Sequence, residues 1–185
     1  MSALKLALLA TALPFLVLGA QKRATSETFQ LYAYGEGIGG PTLFYADGYA
    51  YVGDPNLSNS TDAAAVIFST GTDRTWLGSP NTTNTTHTPS WSNVTMFVPA
   101  AGSSDMRVGF LDSGNSSDST HITTGFSFYG NTAILIGTDG SLETMWTALE
   151  TGAGVYALYW NETASGQVPV TLRRVAPSSP ASRRR

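Results

Sequence analysis

The sequence predicts one all-β domain, folded as an antiparallel two-sheet β-sandwich with a jelly-roll-like strand arrangement. Two observations favour this class. The apolar stretches are short, alternate with polar residues, and are rich in Tyr, Phe, Val, Ile and Thr. Gly, Asn, Asp, Ser and Pro separate these stretches, as expected of turns between strands. Cysteine is absent, so the core must be stabilised without disulfides.

Eleven segments fit the strand pattern. They are residues 28–34, 42–46, 49–53, 64–69, 74–77, 92–98, 106–111, 123–129, 133–137, 155–160 and 168–174. Asp47-Gly48 predicts a type I′ hairpin turn, because both central residues of that turn need positive φ. Pairing across the turn places Phe44 opposite Tyr51 on one face and Leu43 opposite Val52 on the other. Both faces are apolar, so we expect the hairpin to be covered on both sides.

Residues 142–149 fit two structures. Leu142, Met145, Trp146 and Leu149 follow helical spacing. The threonines of this segment and the turn-like sequence TDGS at 138–141 favour a strand instead. We predict a strand.

The two ends of the chain are expected to lie outside the domain, which spans residues 24–175. Residues 1–20 resemble a signal peptide, with Lys5, an apolar run over 6–18 and a small residue, Ala20, before the cleavage point. Lys22-Arg23 fits a dibasic processing site that would remove residues 21–23, or simply a basic flank of the apolar run. The tail, 176–185, is rich in Pro, Ser and Arg and has no hydrophobic end, so we expect no GPI anchor.

Seven of the eight asparagines begin an Asn-x-Ser/Thr triplet, the acceptor motif for N-glycosylation in the secretory lumen. The sequon asparagines are Asn56, Asn59, Asn81, Asn84, Asn93, Asn115 and Asn161. Six of them fall between residues 56 and 115, and only Asn131 lacks the motif. Because glycans must face water, we expect the middle third to supply exposed loops, with Asn93 on the outward face of a strand. Together with the leader, this predicts a secreted, extracellular glycoprotein.

The charge pattern argues against nucleic acid as a partner. After Ala24 there is no lysine, and seven arginines stand against thirteen acidic residues. Only Arg74 and Arg107 lie between residues 24 and 172. Binding to phosphates needs clustered cations, which this domain lacks. No second apolar segment follows the leader, so we expect no transmembrane anchor.

Several segments resemble small secreted glycoproteins of filamentous ascomycete fungi. The resemblance lies in FQLYAYGEGIGG (29–40), FYADGYAYVGD (44–54), TGFSFYG (124–130), and VYALYWN (155–161) followed by VTLR (170–173). These motifs consist of glycines, aromatics and turns. The resemblance implies fungal secretion and favours processing at Lys22-Arg23, and it brings no catalytic residue to this chain.

Aromatic side chains suggest that the protein binds carbohydrate, because a sugar's C–H face packs on a π-face. The candidate binding residues lie in the sequon-poor parts of the chain and are Tyr32, Tyr34, Tyr49, Tyr51 and Trp146, with Tyr129, Tyr156 and Trp160 as further platforms. The alternative is that these rings belong to the core. The expected partner is a cell-wall or host polysaccharide or glycoprotein. A secreted effector without a small ligand is a third hypothesis.

Catalysis is the less favoured interpretation. A glycoside hydrolase needs two carboxylates across a cleft, and the acids in the sequon-poor part are Glu36, Asp47, Asp54 and Glu143. The glycines of GEGIGG precede Pro41 and a hairpin rather than the helix that a dinucleotide site needs. His87 and His121 lack metal-ligand spacing. We therefore expect no cofactor and no metal.

Overall fold

The computed structural model describes residues 27–83, 87–112, 119–152 and 154–178. These parts of the chain contain fourteen strands and two short 3₁₀ helices, Pro55–Leu57 and Thr72–Arg74. The strands are β1 Tyr32–Gly35, β2 Ile38–Ala46, β3 Tyr49–Val52, β4 Ala64–Thr70, β5 Trp76–Pro80, β6 Val94–Pro99, β7 Gly109–Leu111, β8 His121–Ile122, β9 Phe126–Tyr129, β10 Thr132–Ile136, β11 Leu142–Glu143, β12 Trp146–Gly152, β13 Val155–Trp160 and β14 Gln167–Arg173.

Ten of the strands close into an antiparallel β-barrel. Their order is β1-β2-β4-β5-β6-β7-β3-β13-β12-β14, and β14 pairs with β1 to complete the ring. The closing register runs from Tyr32 opposite Arg173 to Gly35 opposite Val170. The other four described strands lie outside the ring: β8 pairs with β6, β9 and β11 pair with β10, and β10 pairs with β14.

The all-β class is therefore confirmed, whereas the two-sheet, jelly-roll-like sandwich is wrong. A sandwich leaves free strand edges, and here the β1–β14 pairing removes them. Alternation of apolar and polar residues cannot separate the two architectures, because both have one buried and one exposed face along each strand. The β1–β14 pairing, which distinguishes the barrel from a sandwich, joins residues about 140 positions apart. No local sequence pattern predicts a pairing over that distance.

The β2–β3 hairpin forms as predicted. Asp47 and Gly48 have φ of 50° and 86°, as the turn type demands. Leu43 pairs with Val52, and Phe44 pairs with Tyr51. Leu43 and Val52 belong to the main core, whereas Phe44 packs with Tyr51 in a separate cluster. Both faces of the hairpin are thus covered.

Side chains fill the interior of the barrel. Trp76 is buried, and it stacks on Phe126 at 5.1 Å and on Phe128 at 5.0 Å between ring centroids. Among the residues that the structure describes, no polar or charged residue is buried. The barrel is therefore a packed core, so a ligand site must lie on its outer surface.

The ambiguous segment after the TDGS turn is a strand. Leu142–Glu143 pairs with β10, and Trp146–Gly152 pairs with both β13 and β14. Gly140 has φ of 85°, and the Ser141 N–H donates to Asp139 Oδ1, so the turn is fixed by its own side chain. Because β12 pairs with two other strands, the segment is a strand, as its threonines indicate.

The sequons differ in their surroundings. Asn56, Asn59, Asn93 and Asn161 are exposed, and Asn81 is half-buried. Asn93 lies one residue before β6 with φ of 53°, in a left-handed turn and not on the strand face that we predicted. Asn84, Asn115 and the processing residues Ala20, Lys22 and Arg23 lie outside the described residues.

Within the described ranges, the structure contains no helix long and apolar enough to cross a membrane.

Candidate functional site

A surface groove of about 940 Å³ lies at the closing seam of the barrel. It is lined by Glu27, Thr28, Phe29, Gln30, Tyr32, Ile67, Thr70, Phe128, Asn131, Arg174, Val175 and Ala176. We call it the seam groove. Its residues come from the segment that leads into β1, from β4 and β9, and from the chain that leaves β14. It therefore lies beside the end of the β1–β14 pair, where Tyr32 is opposite Arg173.

The floor of the seam groove is aromatic. Phe29 is held by two backbone hydrogen bonds with Phe68, from N to O at 3.0 Å and back at 2.8 Å. Its ring meets Phe128 edge to face at 4.9 Å and Trp76 at 5.1 Å. Phe29 and Phe128 are each half-buried. One side of each ring is thus anchored in the core while part of it remains accessible from the groove.

The walls of the seam groove carry hydrogen-bonding groups. Arg174 donates from its backbone N to the Asn131 carbonyl at 3.0 Å and from Nε to Asn131 Oδ1 at 3.2 Å. The guanidinium carbon of Arg174 lies 5.0 Å from the centre of the Phe128 ring. Tyr32 Oη donates to Gln30 Oε1 at 3.4 Å. Amide, hydroxyl and guanidinium groups therefore surround an aromatic surface.

The seam groove lacks the acid pair of a glycoside hydrolase. Among its described residues only Glu27 is acidic. None of the four acids considered from the sequence lines the groove: Glu36, Asp47, Asp54 and Glu143 lie in other turns and strands.

Three of those four acids have local structural partners. Asp47 accepts from Ser60 Oγ at 2.7 Å, and Glu143 accepts from Ser141 Oγ at 3.1 Å. Asp54 caps the first 3₁₀ helix by accepting from the Asn56 N–H at 3.0 Å. These contacts account for the acids as turn and capping residues.

A second aromatic surface lies on the outer face of β3 and β13. Arg107 lies over the Tyr49 ring, 3.7 Å from its centroid, and forms a salt bridge with Asp105 at 2.8 Å. Arg107 also forms a backbone bridge with Tyr159. Burial raises the pKa of Tyr51, and the nearby positive charge of Arg107 opposes that rise. We call Tyr49, Tyr51, Tyr159, Arg107 and Asp105 the tyrosine–arginine cluster.

The predicted binding residues are thus divided. Tyr32 lines the seam groove, and Tyr49 and Tyr51 lie in the tyrosine–arginine cluster. Tyr34 is half-buried, and its Oη donates to the Val175 carbonyl at 2.9 Å. Trp146 is only 1% exposed and donates from Nε1 to the Ala133 carbonyl at 3.2 Å. Its ring belongs to the core, so it offers no platform to a ligand.

The histidines have structural partners. His87 Nε2 lies 3.0 Å from the Ala63 carbonyl oxygen. The His121 ring meets Phe97 at 4.0 Å between centroids. In the described part of the chain, no three His, Asp or Glu residues are grouped so that they could hold a metal ion.

Sequence reasoning missed most of the seam groove. Phe29 and Phe128 sit in ordinary strand-like alternation, which looks the same for a core ring and for a groove ring. The sequence pattern predicts Arg174 only as the end of a strand. Asn131 offered one signal, because it is the single asparagine without a sequon.

Comparisons of the chain with models of protein families, with curated proteins and with solved structures find no match.

Proposed function

We propose that this chain is a secreted, N-glycosylated, non-catalytic binding protein whose seam groove takes a carbohydrate chain. The observation that carries the proposal is the aromatic floor of Phe29 and Phe128, beside the Tyr32 ring and the polar groups of Asn131 and Arg174. The expected ligand is a cell-wall or host polysaccharide, or the glycan of a glycoprotein.

The chemistry of the groove suits a sugar. The weakly polar C–H face of a pyranose packs on an aromatic ring, while its hydroxyls need donors and acceptors at the rim. Gln30 and Asn131 offer amides, which can both donate and accept. The volume of about 940 Å³ lies within the range of roughly 300–1,000 Å³ common for ligand sites.

The position of the sequons supports the same surface. Among the described residues that line the seam groove, none is a sequon asparagine. By contrast, the next two cavities contain Asn59, and Asn56 with Asn81, respectively. A glycan on any of these three asparagines would crowd its own cavity and leave the seam groove open.

The proposal is tested with the secreted protein on insoluble chitin, on β-glucan and on a glycan array. We expect Tyr32→Ala and Asn131→Ala each to weaken retention about tenfold, which corresponds to about 1.4 kcal/mol. Tyr129→Ala is the matched control, because that ring is 74% exposed and does not line the groove. Thermal melting of each variant separates lost binding from lost folding.

Three results would overturn the assignment. Retention unchanged in both groove variants would show that the groove is not the site. Retention lost in Tyr49→Ala instead would move the site to the tyrosine–arginine cluster. Release of reducing sugar that disappears in Glu36→Gln would replace binding by hydrolysis.

A further inference from the structure

Two arginines lie beside the seam groove without an ion-pair partner among the described residues. The lysine and arginine side chains that the structure describes are Arg74, Arg107, Arg173 and Arg174. Arg107 forms a salt bridge with Asp105, whereas no acidic side chain in the described ranges lies within salt-bridge distance of Arg173 or Arg174. Arg174 lines the groove, and Arg173 ends β14 opposite Tyr32. A ligand at this edge of the groove therefore meets positive charge that no described carboxylate neutralises.

The Arg174 side chain is oriented by its neighbours and can be reached from the groove. Its Nε donates to Asn131 Oδ1 at 3.2 Å, and its guanidinium carbon lies 5.0 Å from the centre of the Phe128 ring. Both terminal nitrogens of the guanidinium are without a hydrogen-bond partner among the described residues. The residue is exposed and lines the groove, so a bound ligand has access to these donors. A guanidinium held in one plane matches the two oxygens of a carboxylate.

The positive charge at this edge is a local feature. The whole chain has a formal net charge of −3 at pH 7, so its average field does not attract an anionic polymer. Glu27 also lines the groove, but it is exposed and forms no ion pair with a described arginine. Direct pairing with Arg174 is therefore what favours an anion in the groove, and Glu27 opposes it. Changes at these two residues should have effects of opposite sign.

We propose that the carbohydrate taken by the seam groove is acidic, with a uronic acid whose carboxylate accepts hydrogen bonds from the terminal nitrogens of Arg174. The sugar rings pack on Phe29 and Phe128, as in the proposed function. Hydrogen bonds between ionised partners are roughly twice as strong as neutral ones, so this contact selects the acidic sugar. The inference rests on the proposed function and adds the chemical class of the sugar.

The test measures binding of the secreted protein to three immobilised polyuronides: polygalacturonate, polyglucuronate and alginate. Each is compared with its own methyl ester, which removes the negative charge and keeps the sugar chain. We expect at least one acid form to bind about tenfold more tightly than its ester, the size of one charge-assisted hydrogen bond. We expect the difference to shrink as the ionic strength rises from about 0.05 M to about 0.5 M.

Three variants test the residues. Arg174→Gln should bring the affinity for the acid form down to that for the ester, and Arg174→Lys should restore only part of it, because lysine keeps the charge and loses the planar fork. Glu27→Gln should tighten binding of the acid form about twofold, the size of one exposed charge interaction. A folding defect cannot produce that gain. Arg74→Gln is the matched control, because Arg74 is exposed and does not line the groove, and it should change nothing.

The outcomes separate this inference from the proposed function. If neutral glycans are retained through Tyr32 and Asn131, but no acid form binds more tightly than its ester, the groove binds carbohydrate and the acidic class is wrong. If Arg174→Gln and Arg74→Gln weaken binding of the acid form equally, the effect is general charge and not a carboxylate site. Binding to dextran sulfate that depends on Arg174, without binding to any polyuronide, would replace the carboxylate by a sulfate ester. If no polysaccharide is retained, acidic or neutral, the proposed function fails as well.

Discussion

Gly109 lies where β7 meets the β2–β3 turn, and there is little space for a side chain at this position. It pairs with Tyr49, and a Cβ built at position 109 would lie 2.7 Å from the Gly48 carbonyl oxygen and 2.7 Å from the Phe97 ring. Gly39, also in a strand, would place its Cβ in open space. Neither glycine has positive φ. The two positions therefore differ in crowding and not in backbone conformation.

We expect Gly109→Ala to lower the free energy of unfolding by about 1–3 kcal/mol, because the added methyl overpacks the site. Gly39→Ala should raise it by about 0.4–1 kcal/mol, because alanine restricts the unfolded chain without a clash. Urea denaturation of both variants measures the difference. Similar effects at the two positions would contradict the described crowding.

Single residues were the hardest part of the site to predict. Tyr32 and Tyr34 are both aromatic and both lie in the sequon-poor part of the chain, yet only Tyr32 lines the seam groove. Trp146 looked like a platform, but its ring meets Trp160 at 4.6 Å in the core. Aromatic residues on strands serve cores and ligands alike, and only the three-dimensional packing decides which.

The elements divide into those fixed by neighbours in sequence and those fixed from far away. The β2–β3 hairpin follows from two turn residues and the alternation beside them, so its register was predictable. The pairing of β1 with β14 places Ala33 opposite Leu172, from the other end of the domain sequence. Both residues are fully buried, and nothing near either one in the sequence indicates the other.

The seam makes a prediction at the scale of its strands. Leu172→Ala should lower the free energy of unfolding by about 2–5 kcal/mol, because it empties a buried site at the closing pair. Thr171→Ala, its exposed neighbour on β14, should change it by less than about 0.5 kcal/mol. Thermal melting gives both values. A small effect of Leu172→Ala would mean that the ring does not depend on this seam.

Three aspartates make the folding stability of the whole molecule depend on pH in the acid range. Hydrogen bonds from the Ser90 backbone and side chain lower the pKa of Asp62. The Arg107 side chain donates to Asp105 and lowers its pKa, and hydrogen bonding with Ser141 lowers the pKa of Asp139. Each carboxylate is thus more acidic in the folded chain than in the unfolded chain, where its pKa is about 3.9.

Proton linkage determines whether folding stability rises or falls as the pH changes. The stabilisation is complete above the unfolded pKa and is lost as the pH falls through the lower folded values. We therefore expect a melting temperature that is level from about pH 5 to 7 and falls below about pH 4. Asp62→Asn should melt lower at neutral pH and approach the parent protein in acid. A gap between the two that stays constant down to about pH 2 would contradict this linkage.

The β1–β14 pairing also determines when the barrel can close during synthesis of the chain. A ribosome must make nearly the whole domain before β14 can meet β1, and contacts so distant in sequence slow folding. Until then the ring of strands cannot close, and the sequon asparagines between residues 56 and 161 have already been synthesised. In the secreted glycoprotein that we propose, an enzyme that glycosylates nascent chains would therefore reach Asn81 before the closed barrel half-buries it.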